Sequence, residues 1–434
     1  MEVKPGYKKT EVGVIPLEWE TKACSEVSER IMVGIVIRPT QYYVNNGVPA
    51  FRSANIREDG INDLDLVFIS EESNAVLVKS QTRTGDVLTV RTGYPGTSAV
   101  VHSRHEGCNC IDILITRPSK KLDSEWLAIW INSPFGKEQV LRNQGGLAQK
   151  HFNVGDMRNL IVALPPLPEQ HAIAEVLFDV DGLLGELDHL ITKKRDIKHA
   201  TMQQLLTGQT RLPGFGPTAS FKKYSFGSIP DDWDVKPLKS VSTMNGRIGW
   251  QGLKQEEFTL SPNDPFLITG MNFKDGKIRW DEVYHIPEKR YVEAAPIQLQ
   301  PNDVLMTKDG TIGKLLYVEY IPHPGRASLN SHLLVFRPIA GQYNPKFLFY
   351  QLSSPTFSQH IELHKSGTTF FGLSQTATGK YPTILPSVPE QTAIAEVLTE
   401  MDAELVVLEQ RREKTRALKQ AMMQELLTGR TRLL

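Results

Sequence analysis

Apolar residues recur in alternating steps of four and three along two long stretches of the chain. These positions are Ile173, Leu177, Val180, Leu184, Leu187 and Ile191 in the first stretch, and Ile394, Leu398, Met401, Leu405 and Leu408 in the second. This spacing is typical of the seam of a coiled coil rather than of the wider stripe of a surface helix. The pattern lapses at Lys194 in the first stretch and at Arg412 and Thr415 in the second. It resumes at Ile197 and Leu418, one residue ahead of phase, which predicts a local break in the heptad register.

Both stretches belong to an internal repeat. Residues 164–212 align with residues 385–433 without a gap, and 27 of the 49 positions are identical, including the segments LPxxPEQxAIAEVL and LLTGxTRL. Pro168 and Pro389 suit a first helical turn, and Gly208 and Gly429 suit the left-handed residue that ends a helix. A helix of about 40 residues is roughly 60 Å long. Because an isolated helix with one apolar seam needs a partner, we expect the two copies to pair as an antiparallel coiled coil with a pseudo-two-fold. A coiled coil used only for assembly is the alternative.

A fainter repeat precedes each long helix. GVIPLEW at residues 13–19 corresponds to GSIPDDW at 227–233, and GDVLTVRTGYPG at 85–96 corresponds to NDVLMTKDGTIG at 302–313. Short β-branched or aromatic runs between turn residues predict mostly β domains, with short helices near 126–141 and 346–363. The predicted fold class is α+β: two mixed α/β domains, 1–163 and 213–384, alternate with two helical regions, 164–212 and 385–434.

Composition narrows the class of protein without deciding the function. With 434 residues, 23% charged and 40% hydrophobic, the chain suits a soluble protein of several domains. No apolar run approaches the roughly 18 residues of a membrane span, and no signal peptide is visible at the start. Three cysteines suit a reducing cytoplasm, where we expect the protein to be localised. The formal net charge is zero, so DNA binding would depend on local patches.

Catalytic motifs are not apparent. The segment KDGTIGK at 308–314 differs from a phosphate-binding loop, which needs four residues between its glycines and Ser or Thr after the lysine, where Leu315 stands. LPP at 164–166 lacks the Asn or Asp and the aromatic residue of an adenine-methyltransferase motif. The sequence also lacks GxSxG, HExxH and a dinucleotide fingerprint. We therefore expect a non-enzymatic chain.

One cluster could bind a metal. His102, His105, Cys108 and Cys110 are residues of the kind that form tetrahedral zinc sites. When CNCIDILITRP is placed over SLNSHLLVFRP, however, the two cysteines fall on Ser328 and Asn330. A requirement of the domain should persist in both copies, so we favour small buried cysteines in a strand and expect no metal.

Several loops combine Arg, Lys, Gly, Asn and aromatic residues, which are the residue types that contact phosphates and base edges. For any single loop the alternative is a solvated turn, but such loops recur at corresponding places in both copies. The candidate DNA-binding residues are Arg38, Tyr42, Tyr43, Arg52, Ser53, Asn55, Arg91, Thr92, Tyr94, Gln149, Lys150 and His151 in the first domain, and Arg247, Trp250, Gln251, Lys308, Lys314, Ser366, Thr368 and Thr369 in the second.

The paired LPxxPEQxAIAEVL and LLTGxTRL segments, together with the GxIPxxW start of each preceding domain, resemble the specificity (S) subunit of type I restriction–modification enzymes over essentially the full chain. The resemblance implies that the domains at 1–163 and 213–384 are target-recognition domains, each of which reads one half of a bipartite, asymmetric site in double-stranded DNA. It further implies that the helices set the spacing and bind two modification (methyltransferase) subunits, with restriction subunits joining the complex.

The resemblance also bears on cofactors and alternatives. It implies that S-adenosylmethionine, ATP and Mg belong to the partner subunits, and that this chain carries none. Type IIB systems use similar subunits, so the type of system stays open. A tandem coiled-coil scaffold that does not bind DNA is the alternative from another class, and the neutral net charge is compatible with it.

Overall fold

The computed structural model describes residues 4–142, 151–247, 252–274, 276–367 and 371–433. The chain divides into two compact units: residues 1–189 with 410–434, and residues 190–409. Each unit therefore combines one domain with parts of both repeats. The architecture is α+β, with small mixed sheets, short helices and two long helices.

In the first unit, the strands precede and surround three short helices that lie late in the domain. The strands are β1 (Tyr7–Thr10), β2 (Gly13–Pro16), β3 (Glu20–Ala23), β4 (Ser28–Val33), β5 (Tyr43–Val44), β6 (Val48–Phe51), β7 (Ile56–Arg57), β8 (Gly60–Ile61), β9 (Val67–Ile69), β10 (Val87–Val90), β11 (Ser98–Val100), β12 (Asn109–Cys110), β13 (Ile113–Pro118) and β14 (Ile161–Leu164). The helices are α1 (Glu71–Val76), α2 (Ser124–Asn132), α3 (Pro134–Arg142), α4 (Val154–Asn159) and the long α5 (Leu167–Thr207).

The second unit contains a comparable series. The strands are β15 (Phe221–Tyr224), β16 (Gly227–Pro230), β17 (Asp234–Pro237), β18 (Ser242–Asn245), β19 (Phe266–Ile268), β20 (Phe273–Lys274), β21 (Lys277–Ile278), β22 (Tyr284–His285), β23 (Val304–Thr307), β24 (Leu315–Tyr317), β25 (Ala327–Leu329), β26 (Leu333–Pro338) and β27 (Pro382–Leu385). The helices are α6 (Leu238–Val241), α7 (Glu288–Val292), α8 (Pro345–Leu352), α9 (Pro355–His364), α10 (Gln375–Gly379) and the long α11 (Val388–Leu426).

The two units share a sheet topology although their sequences differ. The central antiparallel sheet has the order β11-β10-β13-β4 in the first unit and β24-β23-β26-β18 in the second. A second sheet contains one parallel pair in each unit, β12 with β6 and β25 with β19. Each central sheet packs beneath two short helices, and the side chains between sheet and helices form an apolar cluster. The faint sequence repeat therefore reflects a duplicated domain.

The short helices late in each domain match the prediction from sequence. In both units a Ser-Pro pair separates them, because Pro134 and Pro355 each begin a new helix where a backbone N–H is not required. The first helix of each pair begins after an N-cap residue: the side chains of Asp123 and Asn344 accept hydrogen bonds from backbone N–H groups of the first turn.

The predicted break in the heptad register is wrong. Ile197 and Leu418, where the apolar pattern resumes out of phase, are 42% and 57% exposed. The in-phase positions one residue later, Lys198 and Lys419, are half-buried and form ion pairs with Asp402 and Asp181. The seam therefore continues in register, and lysines replace the apolar residues at these positions.

Candidate nucleic-acid interface

In the first unit, three predicted loops meet at the end of β10. The backbone N–H of Phe152 donates to the carbonyl of Arg91 at 3.0 Å, which ties the loop of His151 to the RTGYPG loop. The N–H of Asp112 donates to the carbonyl of Ile35 at 3.0 Å, which ties the loop of Arg38 to the turn before β13. These contacts bring residues from distant parts of the sequence to one side of the central sheet.

Arg91 and Asp112 form the polar centre of this first loop cluster. Nη1 of Arg91 donates to Oδ1 of Asp112, and its Nε donates to the carbonyl of Phe152 at 3.3 Å. The hydroxyl of Thr92 lies 3.5 Å from Oδ2 of the same carboxylate. Tyr94, three residues after Arg91 in the same loop, is strongly exposed.

The second unit assembles a corresponding loop cluster with different chemistry. The N–H of Lys308 donates to the carbonyl of His332 at 2.9 Å, and the N–H of Leu373 donates to the carbonyl of Lys308 at 2.7 Å. Oδ2 of Asp309 lies 3.1 Å from Nζ of Lys308 and 3.2 Å from Nδ1 of His332. By the repeat alignment, Lys308 corresponds to Arg91 and His332 to Asp112, so the carboxylate has moved from one loop to the other.

Sequence reasoning missed Asp112, Asp309 and His332 as members of these clusters. The signal was present, because the alignment of CNCIDILITRP with SLNSHLLVFRP puts Asp112 over His332. Asp112 and His332 stand outside the glycine-rich loops, and Asp309 is an acidic residue within one of them. Selection of Arg, Lys, Asn and aromatic residues in such loops therefore omitted all three.

The remaining candidates of the first domain lie in several environments. Arg38 is exposed and adopts a left-handed backbone conformation with φ of 44°. Tyr42 and Tyr43 are half-buried against the apolar cluster that contains Ile35 and Ile69. These tyrosines therefore contribute to packing as well as to the surface.

The FRSANI loop is held by its own hydrogen bonds. The amide of the buried Asn55 accepts from the N–H of Arg52 at 2.9 Å and donates to the carbonyls of Asn62 and Leu64. The guanidinium of Arg52 donates to the carbonyl of Asp65 at 2.7 Å, and Ser53 is half-buried between them. The side chain of Asn55 thus shapes the loop, which leaves Arg52 and Ser53 as its partly exposed candidates.

In the second domain, Arg247 lies inside the protein. It is 5% exposed, and its guanidinium donates to the carbonyl of Leu329 at 2.9 Å and to the hydroxyl of Ser328 at 2.8 Å. Burial, together with the nearby positive charge of Arg290, lowers the pKa of Arg247 to about 10. Lys314 and Ser366 are exposed.

Six candidates lie outside the described residues: Gln149, Lys150, Trp250, Gln251, Thr368 and Thr369.

The histidines and cysteines considered as zinc ligands have separate environments. Nε2 of His105 lies 2.7 Å from Asp63, whereas Nε2 of His102 lies 3.9 Å from Glu125. Burial raises the pKa of the Cys108 thiol to about 11 and raises that of Cys110 further. Within the part of the chain that the structure describes, no group of three or more His, Cys, Asp or Glu residues is arranged to bind a metal. None of the helices in the described ranges combines the length and apolar character that a bilayer span requires.

A second feature, which we call the joint, occurs once in each unit. In the first unit, the carboxylate of Glu169 is 1% exposed and accepts hydrogen bonds from the indole N–H of Trp19 at 3.0 Å and from Nε and Nη2 of Arg432 at 2.5 and 2.7 Å. In the second unit, Glu390 accepts from Trp233 at 3.2 Å and from Nε and Nη2 of Arg211 at 2.8 and 2.6 Å.

Each joint connects three of the repeated sequence motifs. The glutamate belongs to the PEQ segment of one copy, the arginine to the TRL segment of the other copy, and the tryptophan to the GxIPxxW segment of the domain. The next residue completes the connection, because the side-chain amides of Gln170 and Gln391 bond to the backbone of Asp123 and Asn344, immediately before the short helices α2 and α8. The repeated motifs therefore bind one another within the chain.

The predicted seam residues are buried or half-buried along both long helices. Ile173 and Leu177 belong to an apolar cluster that also contains Leu426 and Leu427, while Ile394 and Leu398 share a cluster with Met202 and Leu205. Leu187, Ile191 and Leu405 are buried, and Val180, Leu184, Met401 and Leu408 are half-buried. The beginning of each long helix thus packs against the end of the other.

Comparison with known proteins gives a consistent result. The family model described as "Type I restriction modification DNA specificity domain" matches the chain twice, at residues 16–194 and 230–416. A putative type I restriction enzyme MjaX specificity subunit from Methanocaldococcus jannaschii is 24% identical over 98% of this chain and 96% of its own. The MjaVIII specificity subunit from the same organism is 28% identical over 68% of each chain.

Solved structures show the same fold. The S subunit of a type I restriction-modification system from M. genitalium has a TM-score of 0.58, with 13% identity over 98% of both chains. A chain from a study of complex assembly and conformational transition of the type I R-M system has a TM-score of 0.54, with 18% identity over 96% of this chain and 99% of its own. With two family matches that together cover most of the sequence, the chain belongs to the specificity subunits of type I restriction–modification systems.

Proposed function

We propose that each target-recognition domain reads one half of a bipartite, asymmetric site in double-stranded DNA. The observation that carries the proposal is the duplicated loop cluster: the same loops converge in both units, but Arg91 with Asp112 in one is replaced by Lys308, Asp309 and His332 in the other. In DNA-binding proteins, the symmetry of the protein normally mirrors the symmetry of the site. Two domains with the same architecture but different side chains in the loop clusters therefore suit two different half-sites.

We further propose that α5 and α11 pair as an antiparallel coiled coil. Lys198 with Asp402 and Lys419 with Asp181 are equivalent ion pairs, because both residues of one pair lie 221 positions from their counterparts in the other. The charge distribution supports this orientation: residues 164–192 and 385–410 contain no Lys or Arg, and the basic residues of each helix follow. A parallel alignment would place acidic segments against acidic segments and basic against basic, which is unfavourable.

This pairing would hold the two recognition domains at a set separation and so determine the spacing of the half-sites. Inserting seven residues after Ile191 and seven after Arg412 preserves the heptad phase and adds about 10.5 Å. The unspecified gap should then lengthen by about three base pairs. An insertion in α5 alone is the control, because it displaces the joint and should impair binding rather than lengthen the gap.

The helices would also bind two modification subunits, which supply S-adenosylmethionine and methylate adenine, and through them the restriction subunits that use ATP and Mg. The seam residues, which we expected from sequence to serve both helix pairing and subunit docking, are buried or half-buried within this chain. We therefore assign docking to exposed residues that are identical in both copies, such as Glu175 and Gln203 with Glu396 and Gln424. Two similar docking surfaces suit two identical partners. On this proposal the chain itself recognises DNA and carries out no catalytic step.

The test is a methylome. The full chain is expressed with its modification subunit in a host free of adenine methylation, and N6-methyladenine is mapped across the genome. We expect one bipartite, asymmetric motif with one methylated adenine per strand. A stable complex that adds no methylation and gives no DNA footprint would contradict the proposal and favour a scaffold.

A further inference from the structure

The Arg91–Asp112 pair has the geometry of a prearranged donor. The Arg91 side chain is 16% exposed, and it is restrained at two points, by Oδ1 of Asp112 and by the carbonyl of Phe152. Nη2 makes no hydrogen bond with any of the described residues. The protein thus engages Nε and one N–H of Nη1, whereas Nη2 and the second N–H of Nη1 remain as a pair of donors for a ligand.

The backbone at Asp112 is unusual. Its φ of 51° lies in the left-handed region, which residues other than glycine occupy at a cost. Its N–H is hydrogen-bonded to Ile35, so the surrounding strands impose this conformation. Strained residues of this kind cluster at ligand-binding sites. Here the conformation places the carboxylate beside Arg91 at the centre of the first loop cluster.

An arginine held in place before the ligand arrives loses less conformational freedom when it binds, and its planar fork suits bidentate recognition. In the major groove, bidentate arginine contacts are made to O6 and N7 of guanine. We infer that Asp112 is a positioning residue that holds Arg91 against a guanine edge in the half-site of the first domain. This inference rests on the proposed function and specifies one of its contacts.

The second domain lacks this fork. Lys308 occupies the corresponding position, and its carboxylate partner is the adjacent Asp309. A lysine is a point donor without the bidentate geometry of arginine. Recognition of guanine by an arginine that a carboxylate holds in place is therefore expected in one half-site only.

Asp112→Asn is the informative variant. Asparagine tolerates the left-handed conformation and keeps the size of the side chain, but it removes the charge that holds Arg91. Arg91→Lys is the second variant, since it keeps the positive charge and removes the fork. Glu58→Gln is the matched control, because it breaks an exposed ion pair with Lys137 elsewhere in the same domain.

The experiment selects binding sites from a randomised duplex library with the complex of the full chain and its modification subunit, and measures the affinity of the selected sites against salt. Thermal unfolding of each variant shows that the domain remains folded. In both variants we expect preference for guanine at one position of one half-site to fall roughly 10- to 100-fold. The other half-site, the salt dependence and the Glu58→Gln control should be unchanged.

Three results would overturn the inference. One is a first half-site in which the unaltered complex selects no guanine. Another is unchanged specificity in both variants. The last is an equal loss of binding affinity for all sequences, with the slope of log affinity against log salt concentration reduced by about one. This result would make Arg91 a phosphate contact. If the unaltered complex selects no bipartite site at all, the proposed function itself fails, and this outcome is distinct from the other three.

Discussion

The two joints and the two loop clusters are both duplicated, but they have diverged in opposite ways. The joints use the same residue types with nearly the same geometry: a buried glutamate, a tryptophan N–H and an arginine fork. The loop clusters share one backbone connection, from Phe152 to Arg91 in the first and from Leu373 to Lys308 in the second, yet they exchange Arg91 and Asp112 for Lys308 and His332. Duplication therefore preserved the contacts of the joints and altered the side chains of the loop clusters, which we propose to be the DNA-reading surfaces.

The difference gives a physical reason for the near-identity of residues 164–212 and 385–433. Each copy supplies the glutamate of one joint and the arginine of the other, so a change in either copy would disturb a contact with its counterpart. Two identical docking partners would add to this constraint, but the joints alone already require both copies to keep PEQ and TRL.

The largest effect is expected at the joints. Replacing Glu169 or Glu390 by Ala removes a buried carboxylate and leaves an indole N–H without its acceptor. Breaking a buried ion pair of this kind should lower the free energy of unfolding by about 3 kcal/mol at either site. Chemical denaturation measures the loss, with Glu175→Ala and Glu396→Ala as exposed controls in the same segments. Unequal losses at the two sites would mean that the joints are not equivalent.

The next effect concerns the glycines that end the long helices. Gly208 and Gly429 have positive φ, and a Cβ at either would overlap the ring of Pro230 or Pro16. Alanine should therefore destabilise each unit by about 2 kcal/mol through strain and overlap together. Gly216→Ala is the control, because its φ of 72° is similar but no atom lies near its Cβ. If all three alanine variants lose equal stability, the overlap with proline contributes nothing.

A smaller effect is expected in the helix seam. Lys198→Glu places like charges beside Asp402, and adding Asp402→Lys restores an opposite pair. A double-mutant cycle should give a coupling free energy of about 1 kcal/mol, with most of the stability recovered in the double variant. The exposed pair of Glu413 and Arg416 on one helix is the control and should couple more weakly. Absence of coupling between Lys198 and Asp402 would contradict their role in the pairing.

The smallest expected effect is on the pH dependence of the free energy of unfolding, which should differ between the two units. Burial, with a contribution from Asp123, raises the pKa of Glu125 to about 7. A raised pKa favours the protonated carboxyl in the folded state, so this contribution to stability is present below the ordinary pKa and is lost as the pH rises through about 7. At the corresponding position, burial lowers the pKa of Lys346, which gives the opposite trend at alkaline pH.

Glu125→Gln should therefore make the first unit more stable than the unaltered protein at pH 8 and leave it nearly unchanged at pH 5. The side chain is 38% exposed, so solvent screening reduces the expected gain to roughly 0.5 kcal/mol. Thermal unfolding at the two pH values measures the gain. An equal change in stability at pH 5 and at pH 8 would show that the effect of the substitution is not linked to the titration of Glu125.

Local patterns predicted the elements well. The heptad spacing and the terminal prolines and glycines predicted two long helices, and the structure contains α5 at Leu167–Thr207 and α11 at Val388–Leu426. The predicted short-helix stretches near 126–141 and 346–363 each divide in two at a Ser-Pro pair, because proline can begin a helix but not continue one. The predicted register break was wrong, because Lys198 and Lys419 occupy the seam positions and pair with aspartates on the other helix, while Ile197 and Leu418 are exposed.

Contacts between distant residues were beyond such patterns. Arg432 bonds to a glutamate 263 positions away and Arg211 to one 179 positions away, so neither joint is visible in any local window. The environment of Arg247 depends on Ser328 and Leu329, more than 80 positions along the chain. Residue type alone could not separate this buried arginine from the exposed Arg38.

Central to the proposed function is that the two domains are separate DNA readers and that equivalent joints connect them to the long helices. The most direct measurement replaces residues 213–384 with the corresponding domain of a related specificity subunit and maps the methylated site of the complex. We expect one half-site to change, while the other half-site and the length of the gap stay the same. A change in both half-sites, in a variant that folds and assembles, would contradict it.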